Sequence, residues 1–181
     1  MKANKFWIYL MIPVLVFGMI GLSACSDDDD DGDNNGSSAF SSDTQTPPSN
    51  SVYLELDSQD NNTITLAVKC KDLSNIYGIW FNLDFDGSVI QFISATEGNF
   101  LNDGASTSFF TTGKSYTVVV GASRMGNSSG KSGSGTICKL TFQGSSTGSS
   151  RFDFTANNAA DPNGNTIGRI QWFGGTVTLV E

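Results

Sequence analysis

The feature that most constrains this chain is the alternation of apolar and polar residues that runs from residue 52 to the end of the sequence. In the run GIWFNLDF (78–85), every second residue from Ile79 to Phe85 is apolar. The residues between them, Gly78, Trp80, Asn82 and Asp84, are assigned to the opposite face. A period of two indicates a β-strand with one buried face. No stretch of about twelve residues or more keeps a helical period, so we predict an all-β domain.

Glycine, asparagine, serine and aspartate separate nine such runs, as expected for turns between strands. Nine strands without a helix predict a β-sandwich with jelly-roll topology, in which each strand buries its apolar face against the opposite sheet. The predicted strands are residues 52–57, 63–70, 78–85, 89–95, 106–111, 115–122, 136–143, 150–155 and 171–180.

The N-terminal residues are predicted to form an export signal. Lys2 and Lys5 precede an apolar stretch from Phe6 to Ile20, which is shorter than the roughly 20 residues that a membrane-spanning helix needs. The stretch ends in Leu22-Ser23-Ala24-Cys25, which resembles the lipobox of bacterial lipoproteins. The resemblance implies a signal peptide over residues 1–24 and lipidation of Cys25. An ordinary signal peptide with a chance cysteine and an uncleaved anchor are the alternatives.

An acidic run follows Cys25, from Asp27 to Asp31 with Asp33. It resembles the signal that directs lipoproteins of Bacteroidetes to the outer surface, and so implies a lipid-anchored outer-membrane protein that is exposed at the cell surface. The D-x-D-x-D-G pattern here lacks the glutamate that a calcium loop needs at its twelfth position, where Ser38 stands. Residues 25–50 are therefore predicted to be an acidic, disordered linker, and residues 51–181 the folded domain.

Composition excludes several functions. The chain has no histidine, which removes histidine-dependent triads and histidine-ligated metal sites. Its net charge of −8 argues against binding nucleic acid, which requires a basic face. The carboxylates outside the acidic run that could serve as catalytic groups lie at strand ends and turns, where aspartate is an ordinary turn former. No nucleophile motif or phosphate-loop motif is present in the sequence. We predict no enzymatic activity, no cofactor and no metal site on this chain.

The folded part resembles a cohesin domain over nearly its whole length, because six segments match in order and spacing. The resemblance implies a nine-stranded jelly roll that binds a dockerin, a small calcium-loaded module usually attached to polysaccharide-degrading enzymes. Calcium is accordingly expected on the partner and not on this chain. The matching segments are IYGIWFNLDFDGSVI (76–90), TEGNFL (96–101), VGASRMG (120–126), SGTICKLTF (134–142), DPNGNTI (161–167) and GGTVTLV (174–180).

The resemblance also implies where the partner docks, namely on the outward residues of the third, fifth, sixth and eighth predicted strands and the loop after the sixth. Trp80 is the leading candidate, because tryptophan and arginine dominate interface hot spots; the alternative is that it leans on its own neighbours. Trp80 and Gly78 stand where well-known cohesins have polar contact residues, which leaves the type of partner open. The candidates are Trp80, Asn82, Thr107, Phe109, Thr117, Val119, Arg124, Met125, Arg151, Asp153 and Thr155.

Two questions stay open at the level of sequence. Cys70 and Cys138 both fall on inward-facing runs, and they form either a disulfide or two buried thiols. The domain is a dockerin-binding module, a carbohydrate-binding module at the cell surface, or a structural or adhesive protein. A carbohydrate-binding module would need a row of exposed aromatic rings, for which Trp80, Phe109 and Tyr116 are the candidates.

Overall fold

A computed structural model describes residues 38–180 of the chain. The predicted all-β sandwich is confirmed, but the described residues form eleven strands and not nine, with one short helical turn. The elements are β1 (Ala39–Ser42), β2 (Ser51–Asp60), β3 (Thr63–Ile76), β4 (Gly78–Asp84), β5 (Ile90–Glu97), α1 (Asn99–Asn102), β6 (Thr107–Gly113), β7 (Thr117–Arg124), β8 (Lys131–Gly144), β9 (Gly148–Ala160), β10 (Gln171–Phe173) and β11 (Gly175–Leu179).

The strands form two sheets that pack face to face. The six-stranded sheet has the order β1-β11-β9-β4-β7-β6, and the five-stranded sheet has the order β10-β2-β3-β8-β5. All neighbouring strands are antiparallel except β10 and β2, which run parallel. The alternating apolar residues of both sheets meet between them, as the period of two predicts.

Aromatic rings fill much of the space between the sheets. The ring of Phe142 lies 5.1 Å from that of Phe152 and 5.3 Å from that of Phe85, measured between centroids. Trp172 contacts Phe154 at 5.2 Å, so this tryptophan belongs to the core. Such edge-to-face and tilted contacts stabilise a core beyond the area that they bury.

The two additional strands have separate causes. The predicted strand 171–180 is divided at Gly174 into β10 and β11, which belong to different sheets. A Cβ atom at Gly174 would stand 1.9 Å from the carbonyl oxygen of Phe152, so only glycine fits at this crossing. The other addition is β1, which lies inside the segment predicted to be a linker.

Strand β1 moves the N-terminal boundary of the domain. It pairs with β11 from Ala39 opposite Thr178 to Ser42 opposite Gly175. The ring of Phe40 lies 6.4 Å from that of Phe152 and occupies the space that a Cβ at Gly175 would need. The folded domain therefore extends at least to residue 38, and the predicted start at residue 51 is wrong. The predicted signal peptide, the lipidated Cys25 and most of the acidic linker lie outside the described residues.

Cys70 and Cys138 are free, buried thiols. They lie on the neighbouring strands β3 and β8, where Cys138 stands opposite Val68. Burial raises the pKa of the Cys70 thiol to about 12 and raises the pKa of Cys138 as well. Of the two alternatives left by the sequence, the structure has the pair of buried thiols.

Candidate protein-docking face

The outer face of the six-stranded sheet presents an aromatic row. On β4, Trp80 stands opposite Gly121 of β7, and Gly121 stands opposite Phe110 of β6. Trp80 is 41% exposed and Phe110 is 59% exposed, although both are large apolar side chains. The bulky rings on β4 and β6 therefore flank a glycine on β7, the strand between them.

Gly121 leaves the space between the two rings open. A Cβ atom built on Gly121 would meet no atom within 4 Å, and the residue does not need a left-handed backbone. Adjacent strands are about 4.8 Å apart, so the backbones that carry the two rings are separated by about 10 Å. Trp80, Gly121 and Phe110 thus form an apolar recess one side chain wide, which we call the aromatic slot.

Strand β9 is irregular where it passes the slot. Its pairing with β4 shifts between Asn158, opposite Trp80, and Thr155, opposite Asn82. The additional residues include Ala156, which adopts a positive φ of 46°. Such bulges increase the local twist and redirect side chains, and they are frequent beside functional sites.

The other end of the same face is acidic. Asp84 of β4 stands opposite Asp153 of β9, and Thr155 donates its hydroxyl hydrogen to Asp84 over 2.8 Å. Arg151 donates to Asp153 at 2.9 Å and makes two hydrogen bonds, of 2.9 and 2.8 Å, to the carboxylate of Asp43. The hydrogen bond with Asp43 is the main reason why the pKa of Arg151 is raised. Asp43 and Asp153 share the guanidinium of Arg151, and Asp84 accepts from a neutral hydroxyl, so this acidic end has an excess of negative charge.

Most of the sequence-predicted residues lie on this outer face. Trp80, Met125, Arg151, Asp153 and Thr155 are exposed, and Asn82 and Val119 are half-buried within the sheet. Arg151 is already paired with carboxylates of its own chain, which reduces what it offers to a partner. Binding by these residues stays a prediction.

The outward placement predicted for two residues of β6 is wrong, because the register of that strand is shifted by one residue. Thr107 and Phe109 turn inward, and Phe109 packs against the core. Ser108 and Phe110 take their place on the outer face. A slip of one residue exchanges the two faces of a strand, so the exposed aromatic residue missed by the sequence analysis is Phe110.

Two predicted contacts on β7 are buried. Thr117 is only 6% exposed, and its buried hydroxyl has no hydrogen-bond partner within residues 38–180. Arg124 is 7% exposed and donates to the carbonyl oxygens of Leu101, at 2.7 Å, and Asp103, at 3.3 Å. Arg124 therefore holds the α1 turn against the sandwich and is not available to a partner.

The described part of the chain has neither a metal-holding cluster nor a membrane-spanning helix. Among residues 38–180, no group of three or more cysteine, aspartate or glutamate side chains is placed to hold a metal ion. Within the same range, no helix is long and apolar enough to cross a membrane. The exposed, shallow face is the feature best suited to contact another molecule.

The two packed sheets define a β-sandwich domain with an exposed outer face. The family model of the cohesin domain matches residues 55–170 of this chain. The chain therefore belongs to the cohesin family, as its sequence motifs implied. No curated protein matches the chain.

Solved cohesin structures share the fold at low sequence identity. A type II cohesin domain from the cellulosome of Acetivibrio cellulolyticus is 16% identical, with a TM-score of 0.59 over 72% of this chain and 95% of that one. A non-cellulosomal cohesin from Archaeoglobus fulgidus is 18% identical, with a TM-score of 0.51 over 64% of this chain and 80% of that one. A type I cohesin–dockerin complex from Clostridium thermocellum matches at 15% identity, with a TM-score of 0.55 over 69% of this chain and 95% of that one.

Proposed function

We propose that this protein is a non-catalytic docking module that binds a calcium-loaded dockerin through the outer face of its six-stranded sheet. The observation that carries the proposal is the aromatic slot on that face of a cohesin fold. Trp80 and Phe110 leave large apolar areas in water, which is unfavourable unless a partner covers them. A similar solved structure is a complex of a cohesin with a dockerin.

We further propose that the protein is a lipoprotein of the outer membrane that displays this module at the cell surface. There it would bind dockerin-bearing proteins that take part in polysaccharide degradation. The support is the sequence pattern around Cys25 and the acidic run that follows it. Several acyl chains would bury many CH₂ groups at about 0.8 kcal/mol each, enough for stable anchoring. Labelling cells with a fatty-acid analogue tests this directly, since Cys25→Ala should remove the label.

The docking proposal is tested by binding to a panel of purified dockerin modules. The immobilised full chain is exposed to each module in calcium and then in a chelator. Retention in calcium and release by the chelator is expected, because dockerins fold around calcium. Trp80→Ala should lose the interaction while the chain stays folded, and Ile93→Ala, which removes another exposed apolar side chain from β5 of the opposite sheet, serves as the control.

Carbohydrate binding is the alternative that this experiment addresses. If no dockerin is retained in calcium but soluble polysaccharide fragments bind, and Trp80→Ala abolishes that binding, the module recognises sugar and the docking proposal is wrong. If neither class of ligand binds, a structural or adhesive function remains.

A further inference from the structure

We infer that the partner presents two side chains of defined chemistry on one helix, a bulky apolar one that enters the aromatic slot and a Lys or Arg that meets the acidic end of the face. This inference rests on the proposed docking function and specifies the partner. It combines two observations on strand β4, which carries Trp80 at one end and Asp84 at the other.

The slot requires an apolar side chain. Its walls are the exposed rings of Trp80 and Phe110, and its floor is the bare backbone of Gly121. The next residues on β7 toward each end are Val119 and Ser123, and neither adds a charge. A charged group placed there would lose water without gaining a partner, whereas a Leu, Met or Phe side chain would bury surface on both rings.

The acidic end requires a positive charge. Asp84 and Asp153 stand opposite each other in neighbouring strands, and Asp43 approaches from the N-terminal segment. Among residues 38–180, Arg151 is the one cation bonded to Asp43 and Asp153, and Asp84 accepts a hydrogen bond from the neutral hydroxyl of Thr155. Lys114, in the nearby β6–β7 turn, lines a cavity with Gln91 and Phe92 of β5, toward the opposite sheet. The excess negative charge would therefore attract a basic side chain and repel an acidic one.

The spacing of the two features sets the spacing on the partner. Trp80 and Asp84 are four positions apart on β4, or about 14 Å along the strand. A helix rises about 1.5 Å per residue, so seven or eight residues span about 11–12 Å on one helical face. The extended side chain of Lys or Arg covers the remaining few ångströms. The inferred recognition pattern is thus one bulky apolar residue and one basic residue two helical turns apart.

The test uses a defined probe. A single dockerin scaffold, randomised at the exposed positions of its helices and displayed on yeast, is selected in calcium on the full chain. Enriched clones are expected to carry a bulky apolar residue and a Lys or Arg seven or eight positions apart. The affinity of one such clone is then measured against variants of the chain by calorimetry.

Gly121→Leu should fill the slot and weaken the selected clone by about 30-fold or more, the range of an interface hot spot. Gly168→Leu is the matched control, because a Cβ at Gly168 also meets no atom within 4 Å but lies in the connection between β9 and β10. Asp153→Lys should weaken the same clone, and selection on that variant should enrich acidic residues in place of basic ones. Asp60→Lys, on the opposite sheet, should change neither result.

The outcomes separate the two proposals. If selected dockerins bind Gly121→Leu as tightly as the native chain, or carry no basic residue at the stated spacing, the inference is overturned while the docking function stands. If neither the library nor the panel of natural dockerins yields a calcium-dependent binder, the docking function fails and the inference with it.

Discussion

Replacing Phe40 by alanine tests whether the N-terminal strand belongs to the fold. Phe40 packs on Phe152 and fits against Gly175, but its side chain is only partly buried. A fully buried phenylalanine costs about 3–5 kcal/mol when it is cut back to alanine. Partial burial reduces that to about 2 kcal/mol, which corresponds to a decrease in Tm of about 6 °C for a chain of this size.

Urea unfolding followed by circular dichroism measures this loss. The midpoint should fall while the slope of the free energy against urea stays the same, because the surface exposed on unfolding hardly changes. Phe110→Ala is the matched control: it removes the same ring from an exposed position and should change stability by about 0.5 kcal/mol or less. If Phe40→Ala were as stable as Phe110→Ala, strand β1 would not be part of the cooperative unit and the domain would begin near residue 51.

Three other perturbations have expected outcomes of their own. Trp80→Ala should weaken dockerin binding by about 30-fold in a titration while the Tm stays within about 2 °C of the native value. Arg124→Met should lower the free energy of unfolding by about 1–3 kcal/mol, because it leaves the carbonyl oxygen of Leu101 without its donor; unchanged stability in urea would contradict that role. Burial keeps Cys70 and Cys138 protonated in the fold, whereas the unfolded thiols ionise near pH 9, so stability should fall as pH rises above about 9. Replacing both thiols by alanine should flatten that decline, and an identical pH profile would show that the thiols do not cause it.

Periodic strands were predictable from the sequence because their signal is local. In β4, every second residue is apolar, so the burial of Phe81 and the exposure of Trp80 follow from the pattern. The cohesin motifs extended this to the family, because six short segments kept their order over the domain. Neither line of evidence required knowledge of which strands become neighbours.

The errors occurred where a distant partner decides the outcome. Strand β6 contains Phe109 and Phe110 in succession, so alternation alone gives no register. Arg124 is buried because carbonyl groups near α1 accept hydrogen bonds from its guanidinium. Every residue has a backbone carbonyl, so the sequence cannot indicate which ones will serve as acceptors. Strand β1 is only four residues long, too short for a periodic signal, and it forms because the edge of β11 lies beside it. In each case the missing information was tertiary.

The two ends of the described segment, residues 38 and 180, lie far from the aromatic slot. Ser38 accepts a hydrogen bond from the backbone of Val180, so the described chain begins and ends at the same end of the sheet. In that sheet, Ser149 of β9 stands opposite Thr178, whereas Asn158, further along β9, stands opposite Trp80. Nine residues of strand correspond to about 25–30 Å. The aromatic slot therefore lies at the end of the sandwich opposite to the one where residues 38 and 180 meet.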